Sequence, residues 1–259
     1  MKEIKKPLLA GIISKNILSK LQSGTFYDLH HKIQMCDVLE IRYDLFENID
    51  EWASLASQVS TLNPKAKIIG TIRLECDGGL FKTPMMEERL KLWQLILEAD
   101  RVPDWLDLEE QALVYADDFM RMAKKAKSKV FISKHDFNQI PSMESLSLLQ
   151  THARELKVKG IKVAAMSQNQ KDYLPLYGFL KEISDFHLKS VFAMGLSGVS
   201  SRIWSLKHGA NLTYASFIEE LPTLSLLPVE LMRKAIDSLH TYQSEDELAA
   251  NLLMNPSVS

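Results

Sequence analysis

Eight short apolar runs recur at comparable spacing along this chain, and that recurrence constrains the fold more than any other feature. They are Leu8–Ile13, Val38–Tyr43, Lys67–Ile72, Trp105–Leu108, Val130–Ser133, Gly160–Ala164, Ser190–Met194 and Asn211–Tyr214. Stretches with helical spacing lie between most of them. Met86 to Ala99 sets Leu90, Trp93 and Leu97, with Ile96 beside them, on one face. Met143 to Leu156 does the same with Leu146, Leu149 and Ala153.

Strand–helix alternation predicts an all-parallel sheet, because each return to the same sheet edge needs a crossover. Eight such units without a Pro/Gly/Ser-rich linker predict closure into a (β/α)8 TIM barrel. The rival open sheet would show a Gly-rich first turn, and Leu8–Lys15 holds only Gly11. The 259 residues suit one barrel, which usually takes about 250. A single domain spanning 1–259 is therefore expected. Pro228 to Leu253 reads as one or two closing helices, and 254–259 as a frayed tail.

Charge and cysteine usage narrow the function. Net charge is −2, from 31 basic and 33 acidic residues, which predicts neither nucleic acid nor an anionic membrane as partner. The run Lys124, Lys125, Lys127, Lys129 reads as a solvated helix end. Cys36 and Cys76 are the only cysteines, with no CxxC or Cys/His cluster. No metal site and a reducing cytoplasm are expected. No window approaches the roughly 20 apolar residues of a membrane span, and Leu8 to Ile13 is too short for a signal h-region.

In such a barrel the active site lies at the C-terminal strand ends, and polar residues gather there. Strand 2 ends in Glu40-Ile-Arg42-Tyr-Asp44, and strand 3 in Thr71-Ile-Arg73, running into Asp77-Gly78-Gly79. Strand 4 ends in Asp107-Leu-Glu109, and strand 5 in Ser133-Lys-His135-Asp136. Alternation puts Glu40 with Arg42, and Ser133 with His135, on one side of their strands. Singly, each has a structural reading: an ion pair at the barrel mouth, or a hydrogen-bonded histidine. Asp107 and Glu109 read as partners of barrel arginines.

Lys162 is different. Flanked by Ile161, Val163, Ala164 and Ala165, it must snorkel or point into the barrel. Burial penalises the ammonium and favours the neutral amine, the form that attacks a carbonyl. A second cation nearby, such as Arg42 or Arg202, would strengthen the effect.

Together these segments resemble the type I 3-dehydroquinate dehydratases. The resemblance rests on Glu40-x-Arg42-x-Asp44, Thr71-x-Arg73 with Gly78-Gly79, Asp107-x-Glu109, Ser133-x-His135-Asp136-Phe137, and Lys162 in an IKVA run. It continues through Met194-Gly195-x-x-Gly198-x-x-Ser201-Arg202-Ile203 and Gly209-x-x-Leu212-Thr213-Tyr214. It implies a Schiff-base dehydratase of the shikimate pathway that needs no cofactor, acts on a small keto-acid and forms a homodimer. Lys162 would form the imine and His135 would shuttle the proton. Asp77 would orient the histidine, Arg202 would hold the substrate carboxylate, and Glu40, Arg42 and Arg73 would bind ring hydroxyls.

One segment departs from the pattern. The family's lid after strand 8 carries Ser-Ala-Pro-Gly-Gln, its serine and glutamine bonding the ligand. Aligning Val229-Glu-Leu-Met-Arg233 places Pro222 at the serine and Leu226 at the glutamine, and no Gln lies between Gln170 and Gln243. Three readings remain open on this sequence. They are dehydroquinate dehydration, a paralogous Schiff-base dehydratase or class I aldolase on another keto-acid, and a non-catalytic ligand-binding paralogue.

Overall fold

The computed structural model describes residues 6–24, 26–82, 85–169, 172–195, 197–218 and 226–239. Eight parallel strands form one sheet: β1 (Leu8–Ile13), β2 (Val38–Arg42), β3 (Lys67–Thr71), β4 (Trp105–Glu109), β5 (Lys129–Asp136), β6 (Gly160–Ser167), β7 (Leu188–Gly195) and β8 (Leu212–Ala215). Their order is β7-β6-β5-β4-β3-β2-β1-β8, with β1 pairing β8 in parallel. The predicted (β/α)8 barrel is the observed fold.

At the foot of the barrel one residue, Asn211, ties β8 to β7. The Asn211 backbone N–H donates to Lys189 O at 3.0 Å. The Asn211 carboxamide oxygen accepts from Lys189 N–H at 2.8 Å, and its Nδ2 donates to His187 O at 2.7 Å. Higher up this seam the Phe192 and Tyr214 rings face each other, centroids 6.4 Å apart.

Strand boundaries fall within one residue of the apolar runs at most ends. The exceptions are β7, which begins at Leu188, two residues before Ser190, and β5 and β6, which continue to Asp136 and Ser167, beyond the expected Ser133 and Ala164. Their backbone pairing runs past the apolar segment, from Phe131↔Gly160 to Asp136↔Ala165. His135 is thus a strand residue, held at a fixed alternation from Ser133. Between the strands lie α1 (Lys15–Ser23), α2 (Leu29–Gln34), α3 (Trp52–Leu62), α4 (Met86–Leu97), α5 (Ala116–Lys125), α6 (Met143–Glu155), α7 (Pro175–Glu182) and α8 (Gly198–Lys207), and α4 and α6 lie where the spacing placed them. After β8 one helix is described, α9 (Val229–Asp237). The expected continuation to Leu253 and the tail 254–259 lie outside the described residues.

Parallel strands bury both faces, so one side of each strand meets helices and the other fills the barrel. Leu39, Ile41, Ile68, Ile132, Ile161 and Val163 join the larger core under the helices. The barrel interior has a separate apolar cluster that includes Ala10, Val38, Ile69, Phe131, Leu188 and Leu212. Above that floor the inward positions of β2 to β6 turn polar: Glu40, Thr71, Asp107, Glu109, Ser133 and Lys162 are all buried. A buried charge must be paired or shift its protonation, so this layer is where chemistry is to be sought.

The turn after β3 shows why two glycines follow Asp77. The chain folds back so that Phe81 N–H donates to Arg73 O at 3.1 Å. A Cβ on Gly79 would lie 2.0 Å from that same carbonyl oxygen. Gly79→Ala should therefore displace the Arg73 backbone and destabilise the protein by about 1–3 kcal/mol. A melting curve indistinguishable from that of the parent would show that the turn is free to move.

Candidate active site

Arg73, just beyond β3, is the hub of the polar layer. Its Nη1 donates to Ser133 Oγ at 3.0 Å and meets His135 Nδ1 at 3.2 Å. Its Nη2 donates to Asp107, which also accepts from the Ser133 hydroxyl. Glu109 lies 3.5 Å from Nη1 and Glu40 3.9 Å from Nη2. Burial works against this guanidinium, but Asp107, Glu109 and Glu40 outweigh it and raise its pKa.

Glu109 has a second anchor, the fully buried Arg89 of α4, which also donates to Ile72 O and the Tyr115 hydroxyl. Glu109 in turn accepts from Leu74 N–H at 3.0 Å. Asp107 and Glu109 do bind barrel arginines, as expected, and they do so inside the site.

The imidazole of His135 meets a donor on one side. A guanidinium only donates, so Nδ1 accepts and the neutral ring carries its proton on Nε2. Burial lowers the His135 pKa well below 6.5, helped by the charges of Arg73, Lys162 and Arg42. The expected pairing of His135 with Asp77 is not made. Neither Asp77 carboxylate oxygen has a hydrogen bond, although the side chain is buried. Burial and the nearby Glu109 raise its pKa to about 7. Its influence reaches the site through Arg73, whose positive charge it supports.

Lys162 rises from the middle of β6 into the same layer and is 5% exposed. Its Nζ lies 3.4 Å from Glu40 Oε2, 3.7 Å from Asp107 Oδ2 and 4.3 Å from the centroid of the Tyr214 ring. Burial lowers its pKa; Glu40 and Asp107 oppose that, while Arg73 and Arg42 add to it. Arg42 is thus one of the cations expected beside the lysine, and the other is Arg73 rather than Arg202. Glu40 is pulled below the usual carboxylate range, because Lys162 and Arg73 outweigh its burial.

Two arginines stand at the margins. Arg42 is clamped by Asp44 through two hydrogen bonds of 2.8 and 2.7 Å. Arg202, on α8 (Gly198–Lys207), is buried with its guanidinium carbon 3.8 Å from the centre of the Phe192 ring. Burial brings its pKa down to about 9.

The opposite wall is apolar. Phe192, Met194 and Tyr214 belong to the barrel-interior cluster, and Ile12, Met166 and Leu226 pack against it. Beside it a cavity of about 250 Å3 is lined by Ile12, Arg42, Gly78, Ser216 and Leu226 among others. The segment carrying Leu226 is pinned at both feet. Ser216 N–H donates to Leu227 O at 2.9 Å, and Val229 N–H donates to Ser216 O at 3.0 Å. The Phe217 ring seats where a Cβ on Gly11 would be 2.1 Å away. Pro222, the other lid position singled out, lies outside the described residues.

The structure thus brings Lys162, His135, Glu40, Arg42 and Arg73 into one charged layer and leaves Asp77 behind Arg73. Single-strand reasoning did not weigh Tyr214, which entered only as the end of a motif. Its side chain meets Lys162 from two strands away, a relation that no local pattern contains.

A buried lysine facing a neutral histidine at the strand ends of a (β/α)8 barrel defines a class, the barrel enzymes that activate ketones as lysine imines. The type I 3-dehydroquinase family profile matches residues 27–243, and the chain belongs to that family. It is 29% identical over 208 residues to the 3-dehydroquinate dehydratase of Enterococcus faecalis, covering 76% of this chain and 80% of that one. It is 25% identical over 202 residues to the Staphylococcus saprophyticus enzyme of the same name, covering 75% and 84%. Among solved structures, the fold resembles the type I 3-dehydroquinate dehydratase of Clostridium difficile with covalently modified comenic acid. The TM-score is 0.77 at 24% identity, over 91% of this chain and 93% of that one.

Proposed function

We propose that this chain dehydrates 3-dehydroquinate to 3-dehydroshikimate, a step of the shikimate pathway, through an imine on Lys162. The observation that carries the reading is the Lys162 amine, buried in a polar layer and 4.3 Å from an aromatic ring, with its pKa lowered by burial. A neutral amine attacks the C3 ketone, and loss of water from the carbinolamine leaves an iminium ion, an electron sink that acidifies C2. His135 takes the C2 proton and returns it to the C1 hydroxyl, which leaves as water. Hydrolysis of the imine then frees the lysine and the product. No metal or organic cofactor is required, because the iminium itself draws the electrons.

The resting tautomer sets a condition on that sequence. The basic lone pair of His135 is engaged by Arg73, so it must be released before proton abstraction. Arg73 keeps Ser133, Asp107 and Glu109 when that contact is given up. The release therefore costs one hydrogen bond, about 0.5–1.5 kcal/mol. Asp77 serves as a positioning residue behind Arg73. Glu40, Arg42 and Arg73 bind ring hydroxyls, and the Arg202 fork holds the carboxylate. The protein works as a cytoplasmic homodimer in this reading. Its two cysteines, Cys36 and the exposed Cys76, form no disulfide, which suits a reducing compartment.

Purified protein given 3-dehydroquinate should produce the ultraviolet absorbance of a conjugated enone. A folded sample that yields none rejects the assignment. Leu226 presents an apolar side chain to a polyhydroxylated ring. Leu226→Gln, which restores a hydrogen-bonding group there, should lower KM by about 2- to 10-fold, the worth of one hydrogen bond. An unchanged or higher KM would mean that the leucine does not face the bound ring.

A further inference from the structure

Tyr214 is a side chain at this site whose polar atom the reaction as described does not use. The residue is buried, and its ring lies beneath the Lys162 Nζ at 4.3 Å from the centroid. Its hydroxyl lies within hydrogen-bonding reach of the Glu40 carboxylate and feels its charge, but the geometry is not that of a well-formed bond. A buried hydroxyl whose bond is poorly formed is a cost to the folded state. Such a group fits a site that is completed by a ligand.

We propose that the Tyr214 hydroxyl donates a hydrogen bond to the oxygen of the substrate carbon that Lys162 attacks. The inference rests on the imine reading above and adds a residue to it. When Nζ bonds to the carbonyl carbon, the former carbonyl oxygen becomes the carbinolamine hydroxyl. It stays within two bonds of Nζ and therefore within reach of a group stacked under the lysine. The phenol is held as a donor: burial, then the Glu40 charge, raises its pKa well above 10. A fixed donor aimed where negative charge gathers on oxygen stabilises the transition state of addition without reorganisation.

Ser190 is the nearest competitor, since it is the rung partner of Lys162 across β6 and β7 and its buried hydroxyl has no partner. Its one-carbon side chain keeps that hydroxyl at backbone level, while the lysine stem carries Nζ several bonds away. Thr71, likewise buried with an unbonded hydroxyl, stands on β3, three strands from β6.

The test is Tyr214→Phe, which keeps the ring under Nζ and removes only the oxygen. Imine formation, read by rapid borohydride quenching and mass spectrometry, should slow by about 3- to 10-fold, the worth of one hydrogen bond. The fall should appear in kcat, with KM little changed, as for a contact made in the transition state. The melting temperature should stay nearly level, because only a poorly formed bond to Glu40 has been deleted. Ser190→Ala should leave kcat as it is. The proposal is overturned by an unchanged rate of imine formation, by a loss confined to KM, or by a melting temperature lowered through loss of a structural bond. An equal loss in Ser190→Ala would overturn it too. A parent protein that neither turns over nor traps 3-dehydroquinate would sink the imine reading itself, a result distinct from each of these.

Discussion

Replacing Lys162 with methionine should abolish turnover of 3-dehydroquinate and, with it, the covalent adduct that borohydride fixes in the parent. Methionine fills nearly the same volume with an unbranched stem, so packing around β6 changes little. What is lost is the amine. Without it the C3 ketone has no iminium to draw electrons from C2, and the C–H bond must be broken against a far weaker sink. The expected fall is on the order of 10^4- to 10^6-fold, as for deletion of other covalent nucleophiles. Glu40 and Asp107 would lose one of their cations, but both retain Arg73. The fold should therefore survive, and circular dichroism of the variant should overlay that of the parent. Turnover within tenfold of the parent would show that the imine is not on the path.

That prediction was legible from one strand, and the reasons show where sequence reading reaches and stops. Lys162 stood out because its own neighbours are apolar, a strictly local fact. Glu40 with Arg42, and Ser133 with His135, were readable from alternation for the same reason. The barrel followed from the number and spacing of the runs. What crosses the barrel was not readable. Arg73 just beyond β3, rather than Arg202 on α8, is a cation beside Lys162, because its long side chain reaches inward to Asp107 on β4 and Ser133 on β5. Tyr214 lies under Lys162 because β8 closes onto β1 and leaves its seam with β7 to aromatic rings. The length of β5 was underestimated because its last residues are polar, and inter-strand hydrogen bonds, which apolar patterning does not report, carry the strand onward. Asp77 was expected beside His135 on the strength of its place before two glycines. The turn instead buries its carboxyl next to Glu109, and Arg73 occupies the histidine's Nδ1.

His135→Ala should separate the two halves of the reaction. Imine formation draws on the amine, so borohydride should still trap substrate on Lys162, while dehydration falls by about 10^2- to 10^4-fold, the usual worth of a positioned acid–base group. The pH dependence carries the second signature. The His135 pKa lies well below 6.5 because burial and three neighbouring cations disfavour the imidazolium. A depressed pKa means the neutral base persists as the solution is acidified, so the ionisation of His135 should fall well under pH 6.5. Lys162 titrates in the same sense from a higher starting point. Its pKa is lowered from 10.5, and attack strengthens as pH rises through that lowered value. The acid side of kcat/KM in the parent should therefore show two ionisations, one from each residue. In His135→Ala the lower one should vanish and the lysine limb remain. A variant that kept both limbs, or that trapped no substrate at all, would place the proton shuttle on another group and leave His135 as a structural partner of Arg73.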